Sequence, residues 1–335
     1  MADQDLPRLQ RDIPKPMAWL ATLMMYGVLK PLNACMTRGG GKPIVLRRSK
    51  RYRKMLEAFR HTYDDYTPTG HDVFINTYAK SGTNWMMQIA YQVAFKGEGE
   101  FDNIYDVVPW PEMAIQMGER FFPPLDDRRV QQASPTGLRI IKTHLQAQYV
   151  PYHPESKYIT VIRDPKDAFV SSYHFQGGIY GPVMPSVQAW LDNFLTGEFV
   201  LGFAASWAQH TASNWALRDK PNVLVVSFRD MKADLPAIAR QVAGLMGVAL
   251  TPDEFDNVIH KSSFEYMKAL DDRFFPVNTS ALPWANVSMV RSGKEGASGE
   301  LLSPEQQRHI DRHFIAELKA LGSDFPYEEY CRVSY

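Results

Sequence analysis

Lys80, Ser81, Gly82, Thr83 and Asn84 put an ammonium group, two hydroxyls, a carboxamide and one position without a side chain into a single short stretch. Such a set suits a phosphate-like anion. The glycine lets backbone N–H groups converge with no Cβ in the way, and the lysine adds a full positive charge at the mouth of the turn. Farther along, Lys142 and His144 stand two residues apart, and Arg163 precedes Ser171 by eight. A guanidinium and a hydroxyl meeting on one phosphate would form a charge-assisted fork with an added donor. An imidazole beside an ammonium can be a proton acceptor or a structural hydrogen-bonder, and the residues by themselves leave both open.

These groups need elements that bring them to one edge. Val73-Phe74-Ile75 is a short apolar, β-rich run that breaks at Lys80–Thr83, before the helical spacing Trp85, Met86, Ile89, Ala90, Val93. That order predicts strand, loop and helix, and Thr83 falls where a helix exposes its unpaired amides and the positive end of its dipole. Leu138-Arg139-Ile140-Ile141 reads as a second strand, from which Lys142 and His144 face one side at the C-terminal end, where open α/β sheets place their sites. Tyr158–Ile162 is a third strand that delivers Arg163; Pro165 opens a helix on which Ser171 lies about two turns along. Asn222–Ser227 is a fourth, followed by Phe228-Arg229-Asp230 and an amphipathic helix to Met246. The alternation predicts an α/β fold, a central parallel sheet flanked by helices. Elsewhere the spacing predicts a short helix over 110–119, a loop over 121–135, a Gly- and Pro-rich loop over 177–185, and helices over 190–194 and 202–217. A C-terminal helix over 301–321 has Ser303 as N-cap and Pro304 at its first position.

Thr77-Tyr78-Ala79-Lys80-Ser81-Gly82-Thr83-Asn84-Trp85 resembles the 5′-phosphosulfate loop of sulfotransferases that use 3′-phosphoadenosine 5′-phosphosulfate (PAPS), usually T-Y-P-K-S-G-T-T-W. Ala79 and Asn84 are the departures. Lys142-Thr143-His144 matches the family's K-T-H, and Val161–Phe175 matches its 3′-phosphate segment from Arg163 through Ser171 to Tyr173-His174-Phe175. Ser262-Ser263-Phe264 with Met267-Lys268 is similar to the T-S-F-x-x-M-K stretch on the adenine side. Val290-Arg291-Ser292-Gly293-Lys294-Glu295-Gly296 resembles the R-K-G-x-x-G loop over the 3′-phosphate, with Ser292 in place of lysine. The family's Tyr-Glu-Asp beside the adenine falls at Phe228-Arg229-Asp230; the ring is kept and the hydroxyl lost.

The resemblance spans Thr77 to Gly296, and it implies the P-loop-like form of the α/β fold together with roles for these residues. His144 would be the general base for an acceptor hydroxyl or amine, Lys80 would stabilise the leaving oxygen, Lys142 would assist at the sulfuryl oxygens, and Ser171 would regulate Lys80. Cofactor binding would fall to Lys80, Ser81, Gly82, Thr83, Asn84, Trp85, Arg163, Ser171, Phe228, Ser262, Phe264, Arg291, Ser292 and Gly293. PAPS would be the donor, 3′-phosphoadenosine 5′-phosphate (PAP) the product, and no metal would be needed. A small acceptor of apolar character fits the aromatic content near the motifs, among them Phe175, Tyr180, Trp190, Phe194 and Phe203.

Two other readings compete. A P-loop small-molecule kinase would share the strand, loop and helix, but no glycine stands before Lys80 at Walker A spacing, and Arg163, Ser171 and Arg291 would go unexplained. A non-catalytic membrane-surface protein on the same fold is prompted by the N-terminal sixty residues. There Met17–Leu29 is an apolar run of 13 residues, short of the roughly 20 needed to span a bilayer. A basic cluster, Lys42 to Lys54, follows three glycines and contains no acid, so residues 17–54 could touch a membrane peripherally. Asp3, Asp5 and Asp12 argue against a signal peptide.

In this 335-residue chain Lys+Arg and Asp+Glu both number 37, which gives no global charge to attract nucleic acid. Its two cysteines, Cys35 and Cys331, form no metal spacing or disulfide framework, in keeping with a cytoplasmic protein. We expect one sulfotransferase domain over 61–335 behind an extension over 1–60. The family's K-x-x-x-T-V-x-x-x-E dimer segment is replaced around Ser303-Pro304, so the sequence leaves the oligomeric state open.

Overall fold

Four short parallel strands bring the loop 77–83, His144, Arg163 and Phe228 to one edge. In the computed structural model these are β1 (Asp72–Asn76), β2 (Arg139–Thr143), β3 (Lys157–Ile162) and β4 (Val223–Ser227), in the order β2-β1-β3-β4. The residues described are 9, 11–47, 50–197, 205–293 and 295–334; Arg48, Gly202, Phe203 and Lys294, which enter the readings above, lie outside them. β1, β2 and nearly all of β3 are buried on both faces, as a parallel sheet covered by helices requires, while the edge strand β4 is half-buried over Val223–Val225. Register is set at the edge away from the loops. Asp72 and Arg139 pair as the first residues of β1 and β2, and Arg139 Nε donates to Asp72 Oδ1 at 2.8 Å in a buried ion pair that also involves Tyr66. The opposite ends of β1 and β2 are then flush, Asn76 against Thr143.

Helices follow because each has a start signal. Thr83–Ala94 begins after Gly82 and is buried along nearly its whole length. Pro165–Tyr180 begins at a proline with Asp164 capping the amide of Lys166. Pro304–Ala320 carries a full capping box between Ser303 and Gln306, as the N-cap reading anticipated. Two expectations need correction. Residues 177–185 do not form a loop throughout, because the helix runs on to Tyr180. Gly178 serves packing there: a Cβ on it would lie 2.2 Å from the carbonyl oxygen of Asn286. The segment 121–135 likewise contains a short helix, Arg129–Ala133, that buries Val130.

A buried polar knot ties the C-terminal segment to the sheet. Lys166 Nζ lies 2.5 Å from Asp311 Oδ1 and 3.1 Å from Asp164 Oδ1. Tyr327 Oη donates to the same Asp311 oxygen at 2.6 Å, and the Ser334 amide donates to Asp311 Oδ2 at 2.8 Å. Asp311→Ala would leave the Lys166 ammonium with Asp164 alone and take the acceptor from the Tyr327 hydroxyl and the Ser334 amide, and breaking such a buried network from one side costs about 3–5 kcal/mol. We expect a matching loss of unfolding free energy in urea titration. A change below about 1 kcal/mol, the level of an exposed ion pair, would show that Asp164 alone satisfies the lysine.

The N-terminal region is helical in three joined pieces, Lys15–Met24, a π-turn Met25–Leu29 and Lys30–Arg38. Among the described residues no helix is long and apolar enough to cross a membrane. Residues 9, 11 and 12 lie across the body. Arg11 donates to Asp106 Oδ1 at 2.6 Å and to the carbonyls of Phe121 and Pro276, and its own carbonyl accepts from Asn278. Leu46 enters the main core, and Phe59 packs into a second cluster with Tyr63, Phe74 and Ile141.

Candidate active site

Each strand ends in a residue singled out above: β1 leads to the loop 77–83, β2 to His144, β3 to Arg163 and β4 to Phe228. The chain leaves β1 toward β2 on one side and returns past it to β3 on the other, so the switch point lies between β1 and β3. Arg163 sits at this gap, where its Nη1 donates to the Lys80 carbonyl at 2.9 Å and its guanidinium stacks 4.3 Å from the centre of the Phe228 ring.

The loop takes a conformation that few residues accept. Gly82 has φ of 100°, and a Cβ there would come within 2.8 Å of the Phe228 ring. Lys80 has φ of 67°, which an L-residue with a side chain adopts only under constraint. The Ser81 hydroxyl is buried with no hydrogen-bond partner among the described residues. Thr83 shares a short hydrogen bond with Thr77 across the loop, 2.5 Å between oxygens. These are the marks of a cradle shaped for a guest: backbone turned inward, a buried donor unsatisfied, and a helix start behind it.

Lys80 is half-buried, and its ammonium lies 4.1 Å from the Phe175 ring centre. Desolvation, followed by the positive charge of Arg163, pushes its pKa down to about 7, with Asp271 opposing and Arg291 adding to the fall. Phe175 stands on the helix Pro165–Tyr180 one turn beyond Ser171, and Asp167 stands one turn before it. Asp167 accepts the Gly296 amide at 2.8 Å. Ser171 therefore sits between the turn that holds Lys80 and the turn that holds the loop 290–296.

On the other side, the base candidate is oriented through its ring. The Thr77 carbonyl, 2.6 Å away, can only accept, so His144 Nδ1 carries the hydrogen and the lone pair is on Nε2. Desolvation and the neighbouring Lys142 hold the imidazole pKa well below its ordinary value. Lys142 is buried, 3.3 Å from the Trp110 ring centre, and donates to Tyr105 Oη at 2.6 Å. Its pKa is also held far down, by desolvation and then by Lys80. Trp110 meets the His144 ring edge-on at 5.1 Å, so one indole braces both residues. The shared face inferred from their spacing is thus present.

Sequence reasoning missed Glu112, which is fully buried under the base. Its Oε1 accepts the His144 amide at 2.9 Å and the Thr143 hydroxyl, while Oε2 has no partner among the described residues. Desolvation raises its pKa to about 7, against those hydrogen bonds. An acid within the apolar stretch Pro109–Met113 was the available signal. Tyr105, Trp110 and Thr77 were missed as neighbours of the lysine and histidine because nothing in their spacing tied them to residues 142 and 144.

The remaining predicted residues gather around Trp85 and the loop that contains Arg291. Trp85 Nε1 donates to the Ser262 carbonyl at 2.8 Å, and the Trp85 ring meets Phe228 edge-on at 5.8 Å. Ser262 is fully buried, and its hydroxyl has no partner among the described residues. A Cβ on Gly293 would touch the Phe264 ring at 2.8 Å, which brings the two last motifs together. Asp271 holds the amides of Met289 and Val290, and Arg291 pairs with Glu300 at 2.9 Å. Ser292, next in the chain, is half-buried. Asn84 faces the wall of the site, donating to the Phe274 carbonyl at 3.2 Å. Among the described residues no cluster of His, Cys, Asp or Glu is placed to hold a metal ion.

A family model for the sulfotransferase domain matches residues 70–322. The chain belongs to the sulfotransferase family. It is 27% identical over 280 residues to sulfotransferase 2A1 of Macaca fascicularis, covering 81% of this chain and 93% of that protein. It is also 27% identical over 281 residues to a 3-beta-hydroxysteroid sulfotransferase of Cavia porcellus, covering 82% and 93%. In fold it is similar to a crystal structure of retinol dehydratase in complex with retinol and PAP, with a TM-score of 0.63 and 20% identity over 83% of this chain and 88% of that one. The resemblance read from the motifs therefore stands, as does the α/β architecture, and this sulfotransferase is an enzyme.

Proposed function

We propose that the sulfotransferase moves a sulfuryl group from PAPS to a hydroxyl or amine of a small, apolar acceptor in the cytoplasm, with His144 as the base. The observation that carries this reading is the meeting of two pairs of basic side chains across one loop. Lys80 and Arg163 close the loop between β1 and β3, and Lys142 and His144 approach from β2 with the imidazole lone pair on Nε2.

In this reading Ser81, Gly82, Thr83 and Asn84 surround the 5′-phosphosulfate, while Arg163, Ser171, Arg291, Ser292 and Gly293 take the 3′-phosphate. Trp85, Phe228, Ser262 and Phe264 flank the adenine. PAPS supplies an activated sulfuryl group on a good leaving phosphate. The protein's part is positioning and charge neutralisation. His144 Nε2 accepts the acceptor's proton as its oxygen or nitrogen attacks; Lys80, recharged beside the phosphate, neutralises the bridging oxygen; Lys142 stands toward the sulfuryl oxygens; Ser171 restrains Lys80 until the donor is seated. Loss of the charge that a lysine would bring at Ser292 leaves Arg163 and Arg291 as the main partners of the 3′-phosphate. The aromatic cluster of Tyr105, Trp110 and Phe122 packed beside Lys142 and His144 is in keeping with an apolar acceptor, and the steroid in one relative's name is of that type. Residues 61–335 would make up this catalytic unit and residues 1–60 an extension beside it.

The depressed pKa of Lys80 gives a direct test. Its folded value of about 7 lies below that of a free lysine, so the unliganded protein holds it mostly neutral above that pH. A phosphate favours the ammonium, so PAP binding should take up roughly one proton at about pH 8 and almost none at about pH 5.5. Calorimetry in buffers of different ionisation enthalpy measures this. Absence of uptake in wild type at the higher pH would contradict Lys80 as a phosphate partner. Transfer from PAPS to a 3β-hydroxysteroid used as probe acceptor is the expected activity, and transfer only to a sulfated polysaccharide would overturn the acceptor class.

A further inference from the structure

The N-terminal helical arm leaves an apolar surface uncovered. Of the residues from Met17 to Leu32, Met17, Trp19, Leu20, Leu23, Met24 and Val28 are all about half exposed or more, Trp19 reaching 67%. Only Ala18 and Met25 are buried along the same run. A helix apolar on nearly all sides is ordinarily enclosed by a core or by lipid, and here the protein encloses one narrow edge. Scattered exposed leucines need no explanation, but a contiguous apolar face of this kind marks an interaction site.

Charge identifies the occupant. From Ile13 to Leu56 the sequence contains no Asp or Glu and ten Lys or Arg, in a chain whose acids and bases otherwise balance at 37 each. Such segregation beside an apolar face matches a bilayer with anionic headgroups, in which apolar side chains enter the acyl boundary and basic groups meet the lipid phosphates. A second copy of the chain would bring its own cations to the same surface and be repelled. The apolar run is too short to cross, so the arm lies in the plane of the surface.

The arm is also fixed to the body close to the site. Tyr26 meets Trp284 edge-on at 6.3 Å, and the Trp284 indole donates to the Ile179 carbonyl at 3.2 Å, at the end of the helix that carries Ser171 and Phe175. Phe175, which faces Lys80, also packs against Phe275, and the next residue, Pro276, accepts from Arg11.

We infer that residues 15–47 form a docking surface for an anionic lipid bilayer, so that the sulfotransferase works as a peripheral membrane protein held with this face on the lipid. The inference stands apart from the catalytic reading, since none of the residues that carry it is assigned to donor or acceptor. The test is cosedimentation of the full chain with vesicles of phosphatidylcholine alone or phosphatidylcholine with phosphatidylglycerol. The comparison is a triple variant, Trp19→Glu, Leu20→Glu and Val28→Glu, at positions already in solvent. Wild type should bind the anionic vesicles about tenfold or more better than the neutral ones, and raised salt or the triple substitution should abolish most of that gain. PAP titration of the variant reports folding and the donor site separately, and it should match wild type. Failure of wild type to sediment with anionic vesicles, or undiminished binding by the variant, would overturn the proposal. So would a wild-type dimer that the substitutions dissociate, because the face would then belong to a second copy.

Discussion

His144→Ala should lower kcat by about 10²- to 10⁴-fold, the usual contribution of a positioned general base, with PAP affinity nearly unchanged. The geometry supports the size of the effect. Nδ1 is committed to the Thr77 carbonyl, the ring edge is braced by Trp110, and desolvation keeps the imidazole unprotonated across the physiological range. Because the base is already deprotonated, the wild-type rate should show no acid limb from His144 near its ordinary pKa. The residue is buried, so a merely structural role would appear as altered near-ultraviolet circular dichroism and loss of PAP binding along with rate. Single-turnover rates beside PAP titrations separate the two. A variant that binds PAP normally and retains full kcat would remove His144 from the chemistry.

Lys80→Met should show the second large effect, on both binding and rate. Removing one preorganised donor at developing charge costs about 10²- to 10³-fold in kcat, and losing a charge-assisted bond costs a further 1.5–3 kcal/mol, or about 10- to 100-fold, in PAP affinity. Lys80→Arg should recover little of the rate. The ammonium is a compact point charge seated 4.1 Å from the Phe175 ring on a backbone with φ of 67°, and the planar guanidinium would meet Arg163, which already donates to the residue 80 carbonyl. Stopped-flow transfer rates and calorimetric affinities measure these effects. A kcat unchanged in Lys80→Met would mean that the leaving oxygen is neutralised elsewhere.

The strand, loop and helix around Lys80 were legible because their determinants are local. Val73–Ile75 and the spacing from Trp85 to Val93 set the two elements, and glycine and lysine punctuate the turn between them. Lys142, His144 and Arg163 could be read for the same reason, as each sits just beyond a short apolar run at a strand end. What could not be read are partnerships between residues far apart in the chain. Glu112 holds the His144 amide from 32 residues away, and Lys166 meets Asp311 across 145. Gly178 was misjudged in kind. A glycine signals either a turn or a close approach, and only the position of Asn286 shows which. The apolar run Met17–Leu29 was visible, but whether its surface is covered depends on residues such as Trp284 that no local pattern connects to it.

The most direct test of the donor assignment is calorimetric titration of PAP and of ATP with magnesium into wild type and Arg163→Ala. Arg163 bridges the loops after β1 and β3, and a nucleotide phosphorylated at both ends needs cations on both sides of that gap. Tight PAP binding that weakens about tenfold or more in the variant, as loss of a charge-assisted bond requires, with little affinity for ATP and magnesium, is the result expected. Preference for ATP with magnesium, indifferent to Arg163, would contradict the donor site and return the chain to the kinase reading.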